Sequence, residues 1–422
     1  MEKKLENKKL WNKNFILLWQ GHSVSVFGDV LYSIAIGFWV YHETGSTGLM
    51  GLMSSISMFV AMFLIPFTGA LVDRINRKSV LIIADIVRGL LMLGVGFLAI
   101  QNNLSVELVL FTAFIAALCG SMFSPASMTV FVDLVQPSDL VRAQSLTSGT
   151  NSLINFFGKG ISGVLLTFFG VGPMIILNGL SFLFSAATIV FISVPRTVKQ
   201  DQNQQITVKR ILEDVVQGAK DAIATPGLNV LIVSALLANF LGSGYSALLL
   251  PLSEMKGLTL TEYGFFVAAS SMAAVLAMAL MGLFKIPAKL KMPIFIFSFM
   301  INTLFIVVGL MGSGFIWLTI FFFLGDFFMV IGNALLNATM ILAIPRDKRA
   351  TVFGFVSSFS IAGVALSMLA YGYLAESIDL SLLSIIGTIL GFIALLPALF
   401  NKGISKMMTT EQTDEVSPVE TV

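Results

Sequence analysis

The chain has 422 residues, of which 56% are hydrophobic and 11% charged, against about 25% charged residues in an average soluble domain. So little charge cannot cover a globular surface, and a mean hydropathy of +0.92 points to an integral membrane protein. A formal net charge of +2 gives no global signal for nucleic acid, and the single Cys119 excludes an intramolecular disulfide and any multi-cysteine metal site.

A helix needs about 20 mainly apolar residues to cross the hydrocarbon core. That rule predicts twelve spans, near 14–41, 49–71, 79–100, 105–132, 143–168, 171–194, 227–251, 260–284, 293–312, 314–341, 351–374 and 380–400. The fold class is therefore an all-α membrane protein. The opening "MEKKLENKKLWNKN" is basic and runs into span 1 with no small-residue cleavage site, so it reads as a tail and not a removable signal. On span 1, His22, Ser25, Asp29 and Ser33 follow spacings that place them on one face. The turn after span 2 crowds Asp73, Arg74, Arg77 and Lys78 together, and Asp85 and Arg88 sit inside span 3 with spacing for a pair. Span 4 carries Met122 and Met128 and ends at Asp133. Span 5 repeats the polar stripe with Ser148, Asn151, Asn155, Lys159 and Ser162.

After span 6 comes the longest polar insert, 195–226, which divides the spans six and six. Its part from Thr207 to Ala224 reads as an amphipathic surface helix, and residues 199–206 read as linker. The predicted domains are thus an N-terminal bundle (1–194), this linker, a C-terminal bundle (227–402) and a disordered acidic tail (403–422). Span 7 carries Phe240 and Tyr245, and span 10 aligns Asp326, Asn333 and Asn337. "GSMFSPASM" at Gly120 and "GNALLNATM" at Gly332 occupy matching places in spans 4 and 10, as expected of parallel six-helix repeats. Lysine and arginine fall on one side of this layout except for Arg88 and Lys159 within spans and Lys256 in an opposite loop. Both termini are expected in the cytoplasm.

The turn itself carries a resemblance. Gly69, Asp73, Arg74, Asn76, Arg77 and Lys78 match G-x-x-x-D-R-x-[GN]-R-[RK], so the chain resembles the major facilitator superfamily. The resemblance implies two six-helix pseudo-repeats and a conformational latch that holds the halves together on the cytoplasmic side. Arg77 offers a fork for a carboxylate, and Asp133 is its expected partner. Arg74 and Lys78 also satisfy the positive-inside rule alone. "LWQGHSVSVFGDVLYSIAIGFWVYHETGS", "ADIVRG" and "SPASMTVFVDLVQPSDLVRAQSL" look like the macrolide-efflux type of drug:proton antiporter. Lys159 in "FFGKGISG" departs from the Gly-Pro-rich pattern of antiporter helix 5, and the turn "LFKIPAKLKM" departs from the hallmark.

Ionisable residues inside a membrane are costly and usually face a cavity or a partner. Asp29, Lys159, Asp326 and His22 are the candidates for proton coupling or for receiving a substrate cation. A carboxylate in a low-dielectric site is shifted toward titrating at cellular pH, which makes Asp29 the leading proton carrier. A structural Asp29–Lys159 pair is the alternative, and for His22 it is simple solvation near the cytoplasm. Asp326 is open between a structural and a functional role. Ser25, Ser33, Asn151, Asn155, Asn333, Asn337, Met122, Met128, Phe240 and Tyr245 are the expected cavity lining, with ordinary packing as the alternative for the Met and aromatic positions. No nucleotide-binding loop or hydrolase motif is present. The expectation is a monomeric, proton-coupled exporter of hydrophobic, cationic small molecules such as macrolides, with no enzyme activity, metal, cofactor or nucleic-acid partner. A facilitator for a lipid, siderophore or self-made peptide, and a transporter-like ligand sensor, are the alternatives.

Overall fold

The computed structural model describes residues 11–72, 75–136, 139–193, 217, 220, 227–284, 286–343 and 349–409. Asp73, Arg74 and almost all of the expected linker helix lie outside them. Twelve stretches are long and apolar enough to cross a membrane. The first half holds α1 (Lys13–Thr44), α2 (Thr47–Val72), α3 (Arg77–Ile100), α4 (Val106–Leu134), α5 (Leu140–Phe169) and α6 (Val171–Val190). The second holds a seventh span broken into α7 (Leu228–Gly242), a 3₁₀ turn (Gly244–Leu248) and α8 (Leu249–Met255). It continues with α9 (Leu260–Leu283), α10 (Ala288–Met311), α11 (Phe315–Ala343), α12 (Arg349–Leu374) and α13 (Leu380–Leu399), and a short α14 (Lys402–Thr409) follows.

Local chemistry sets the helix ends. Asn12 caps α1 by accepting from the Phe15 amide, and Gly45 closes it in the left-handed region at φ 64°. The hallmark's Asn76 is the N-cap of α3, accepting from the amides of Lys78 and Ser79. Lys78 then reaches across to α6, where its ammonium donates to the carbonyls of Val190 (2.7 Å) and Ile192 (2.8 Å). Those are the carbonyls a helix end leaves unpaired, so Lys78 pins one helix end to another and does more than bias topology.

Within the first half, α1 packs on α5 and α6, and α3 on α4 and α6; within the second, α7 packs on α12 and α13, and α10 on α11 and α13. Two helix pairs make the main contacts between the halves: α2 with α12, and α5 with α9. Both crossings run through glycine at the end of the bundle away from the N-terminus, called the far end here. Added Cβ atoms would lie 2.9 Å from Gly372 Cα at Gly51 and 3.1 Å from Gly264 Cα at Gly163. The apolar core follows the same division. At the far end one buried cluster, including Leu31, Ile36, Met174, Leu248, Phe266 and Leu310, spans both halves. Toward the opposite, basic end, the described residues form separate cores. One lies in the first half around Leu81, Val130 and Ile189, and one in the second around Phe295, Leu335 and Leu399. The halves are knitted at the far end and part toward the basic end.

The tail expectation needs correcting in its first residues. Residues 402–409 form α14, whose Ile404 is fully buried in the second half's core. Gly403 packs there against Gly227, at the entrance to α7.

Candidate functional site

A cavity of about 550 Å³ lies between the halves at mid-depth. Its charged lining is Asp29 on α1, Arg88 on α3 and Lys159 on α5, and the second half contributes Ser246, Tyr263 and Met368 among others. Glycines bring these helices into position. At Gly28 a Cβ would fall 2.2 Å from Ser181 Oγ and 2.7 Å from Asn178 Oδ1, so only glycine lets α1 lie this close to α6. The next residue, Asp29, consequently lines the cavity beside Asn178. Asp29 lies deep in the bundle yet has much open surface, because the space that it faces is the cavity.

Arg88 is the charged residue whose place the sequence did not reveal. It pairs with Asp85 as its i, i+3 spacing predicts, and Asp85 is fully buried. Its guanidinium also lies 4.6 Å and 4.3 Å from the ring centroids of Phe123 and Phe182, held as a cation between two faces. From this clamp it borders the cavity and lies within electrostatic reach of Asp29 and His22. His22 itself is half-buried.

Lys159 stands between two glycines that let α5 pass between the halves: Gly158 faces Val30 and Phe27 of α1, and Gly160 faces Ala268 of α9. No ion pair joins Lys159 to Asp29 among the described residues, so the pair that stood as the alternative for Asp29 is not formed directly. Asp326 lies on α11 of the other half, within electrostatic reach of Lys159 and near Ser270 and Tyr245.

Of the expected lining, Ser33 borders the cavity. Ser25 is buried, and its hydroxyl donates to the His22 carbonyl. Asn155 donates to the Asn151 carbonyl one turn back, while the Asn151 side-chain oxygen is buried without a partner. Asn333 is half-buried and Asn337 exposed further along α11. Met122 packs on the first half's core, Met128 and Phe240 are exposed, and Tyr245 stacks edge-on against Phe322. None of these other nine is among the cavity's lining residues. Their places near the cavity were taken by Met50, Met53 and Met92, which carry no polar spacing to mark them.

At the basic end, Arg77 meets Asp133 at 3.2 Å as expected. Both belong to the first half, so this contact ties α3 to α4 and does not itself bridge the halves. Gly69 lies within α2. The far end carries ties that the sequence did not suggest. His42 meets Glu254 at 2.8 Å, Glu376 accepts from the Ser46 hydroxyl at 2.6 Å and the Gly48 amide at 3.2 Å, and Thr47 donates to the Gly372 carbonyl.

Residues 18–356 match the family model of the Major Facilitator Superfamily. The chain belongs to that superfamily. By family it is a multi-pass membrane transporter, not an enzyme. It is 22% identical to macrolide efflux protein A of Streptococcus pyogenes over 46% of this chain and 47% of that protein. Matched so, the chain spans about half the length of that relative. It is 24% identical to the MFS-type transporter YfiS of Bacillus subtilis (strain 168) over 88% of each chain. Among solved structures, the nucleoside transporter NupG aligns with a TM-score of 0.70 at 12% identity, covering 94% of this chain and 99% of that one. A bacterial homologue of the lysosomal transporter Spinster aligns with a TM-score of 0.63 at 14% identity, over 94% and 92%. At these identities the structures speak for the fold alone.

Proposed function

We propose that this superfamily member is a proton-coupled exporter of hydrophobic, amine-bearing small molecules that works by alternating access. The observation that carries the reading is the charge pattern of the cavity. Asp85 is matched directly by Arg88, while Asp29 opens into the cavity and forms no ion pair among the described residues. One carboxylate that a proton or a cationic cargo can occupy, but not both together, is the minimum an exchange mechanism needs. The similarity to macrolide efflux protein A supports export of apolar compounds, and the macrolide class rests on that similarity.

The basic end is assigned to the cytoplasm by the distribution of lysine and arginine. With the halves knitted at the far end, the described state is then closed outside and open toward the cytoplasm. Arg77 and Asp133, with Gly69, Asp73, Arg74 and Lys78, are proposed to stiffen the first half's inner rim so that it can close against the second half in the other state.

The test is Asp29→Asn in proteoliposomes, with a lipophilic amine as cargo under an imposed pH gradient. Net uphill export stops while downhill exchange continues. Proton-driven export by that variant at the wild-type rate refutes the role of Asp29. Absence of counterflow in the wild type favours a ligand sensor instead.

A further inference from the structure

Asp29 and Lys159 pose a problem that the export reading alone leaves open. Both face the same cavity, from different helices of the same half, and no ion pair joins them. Among the described residues the Lys159 ammonium donates no hydrogen bond, and the side chain beside Asp29 is the neutral Asn178. The third charged group at the wall, Arg88, is occupied by Asp85 and by the rings of Phe123 and Phe182. Ions withdrawn from bulk water need a counter-charge to replace their hydration. Here a carboxylate and an ammonium, held apart in one cavity, are each left without a direct one.

We propose that the cargo carries a carboxylate as well as an amine. It is a small amphipathic zwitterion that spans the cavity with its amine on Asp29 and its carboxylate on Lys159. This assignment rests on the transport reading above and narrows its substrate class. A single-charge cation would answer Asp29 and leave Lys159 as it stands; a zwitterion answers both. The remaining walls suit the body of such a molecule, since Met50, Met53, Met92, Met368, Phe182 and Tyr263 offer adaptable apolar surface. Size agrees. The cavity's 550 Å³ is room for roughly 18 water volumes at about 30 Å³ each, which fits a loosely held body of about twenty non-hydrogen atoms.

Four probes of one shape test this: leucyl-phenylalanine (zwitterion), its C-terminal amide (cation), its N-acetyl form (anion) and the N-acetyl amide (neutral). Binding to the purified full-length chain is measured by calorimetry, and transport in proteoliposomes under a pH gradient. A charge-assisted contact is worth about 1.5–3 kcal/mol, so the free dipeptide is expected to bind at least about tenfold tighter than either singly charged form. Lys159→Met, or Lys159→Gln if the first variant folds poorly, should abolish the preference of the dipeptide over its amide. Equal binding of amide and dipeptide by the wild type overturns the proposal and needs no variant. So does an equal loss for all four probes in Lys159→Met, which would make Lys159 a partner of Asp326 only. In either case continued pH-driven movement of tetraphenylphosphonium leaves the exporter reading standing. If that cation does not move either, the exporter reading fails as well.

Discussion

Replacing Gly51 with valine should open the transporter at its far end. Gly51 sits where α2 crosses α12, and there its Cβ would lie 2.3 Å from the Met368 carbonyl oxygen and 2.9 Å from Gly372 Cα. These are backbone atoms and cannot rotate away, so the helices must separate. Overpacking of this kind costs about 1–3 kcal/mol. All of it should fall on the state in which the halves touch here, because in the other state of the proposed cycle the helices would have parted. The ratio of far-end-closed to far-end-open molecules should therefore drop about 5- to 150-fold. A cysteine at Ser57, which lines the cavity, placed in a Cys119→Ser background, reports the change. An impermeant maleimide outside intact cells should label it faster by up to that factor. The control is Gly96→Val, whose Cβ would lie 2.9 Å from the Ile176 amide and 3.0 Å from the Gly172 carbonyl. That is the same clash, but between α3 and α6 inside one half, so it should lower the folded yield without exposing Ser57→Cys. Well-folded Gly51→Val that labels no faster than the parent, or equal labelling in both valine variants, would refute the reasoning.

Arg88→Ala should destabilise the first half by about 3–5 kcal/mol, because it strands the fully buried Asp85; the double variant with Asp85→Ala should regain most of the loss in thermal unfolding of the purified protein. The orientation predicts that cysteines at Asn102 and Ser377 react with an impermeant reagent from outside intact cells while one at Gln204 does not, and outside labelling at Gln204 would reverse it.

The spans were readable because a bilayer demands long apolar runs, and these need no tertiary information. The Arg77–Asp133 contact was readable for a similar reason, since a complete hallmark sits beside an acidic helix end. What escaped had its cause elsewhere in the chain. The seventh span looks continuous, and its break is imposed by Tyr371 of α12, whose ring fills the place of a Gly244 side chain and whose hydroxyl donates to the Leu241 carbonyl. Lys78 looked like a topology charge because its acceptors lie more than a hundred residues on. α14 looked like polar tail because its anchors, Ile404 in the second half's core and Gly403 set against Gly227, have partners far away in the chain. At the site, polarity marked Asp29 and Lys159, but helical spacing fixes only which face a side chain takes and not its distance to a neighbouring helix. Met50, Met53 and Met92 carry no signal that separates a cavity wall from a lipid-facing surface.

The two glycine crossings have a formal likeness to a homodimer. The second span of the first half meets the fifth span of the second half, and the fifth meets the second in return. That reciprocity is the signature of an isologous, two-fold interface, as if the halves were subunits. A true two-fold dimer would offer any guest two equivalent poses. Here the charges at the wall, Asp29, Arg88 and Lys159, all belong to one pseudo-subunit among the described residues. That removes the degeneracy, and the proposed guest with two unlike ends would enter a near-symmetric frame in a single pose.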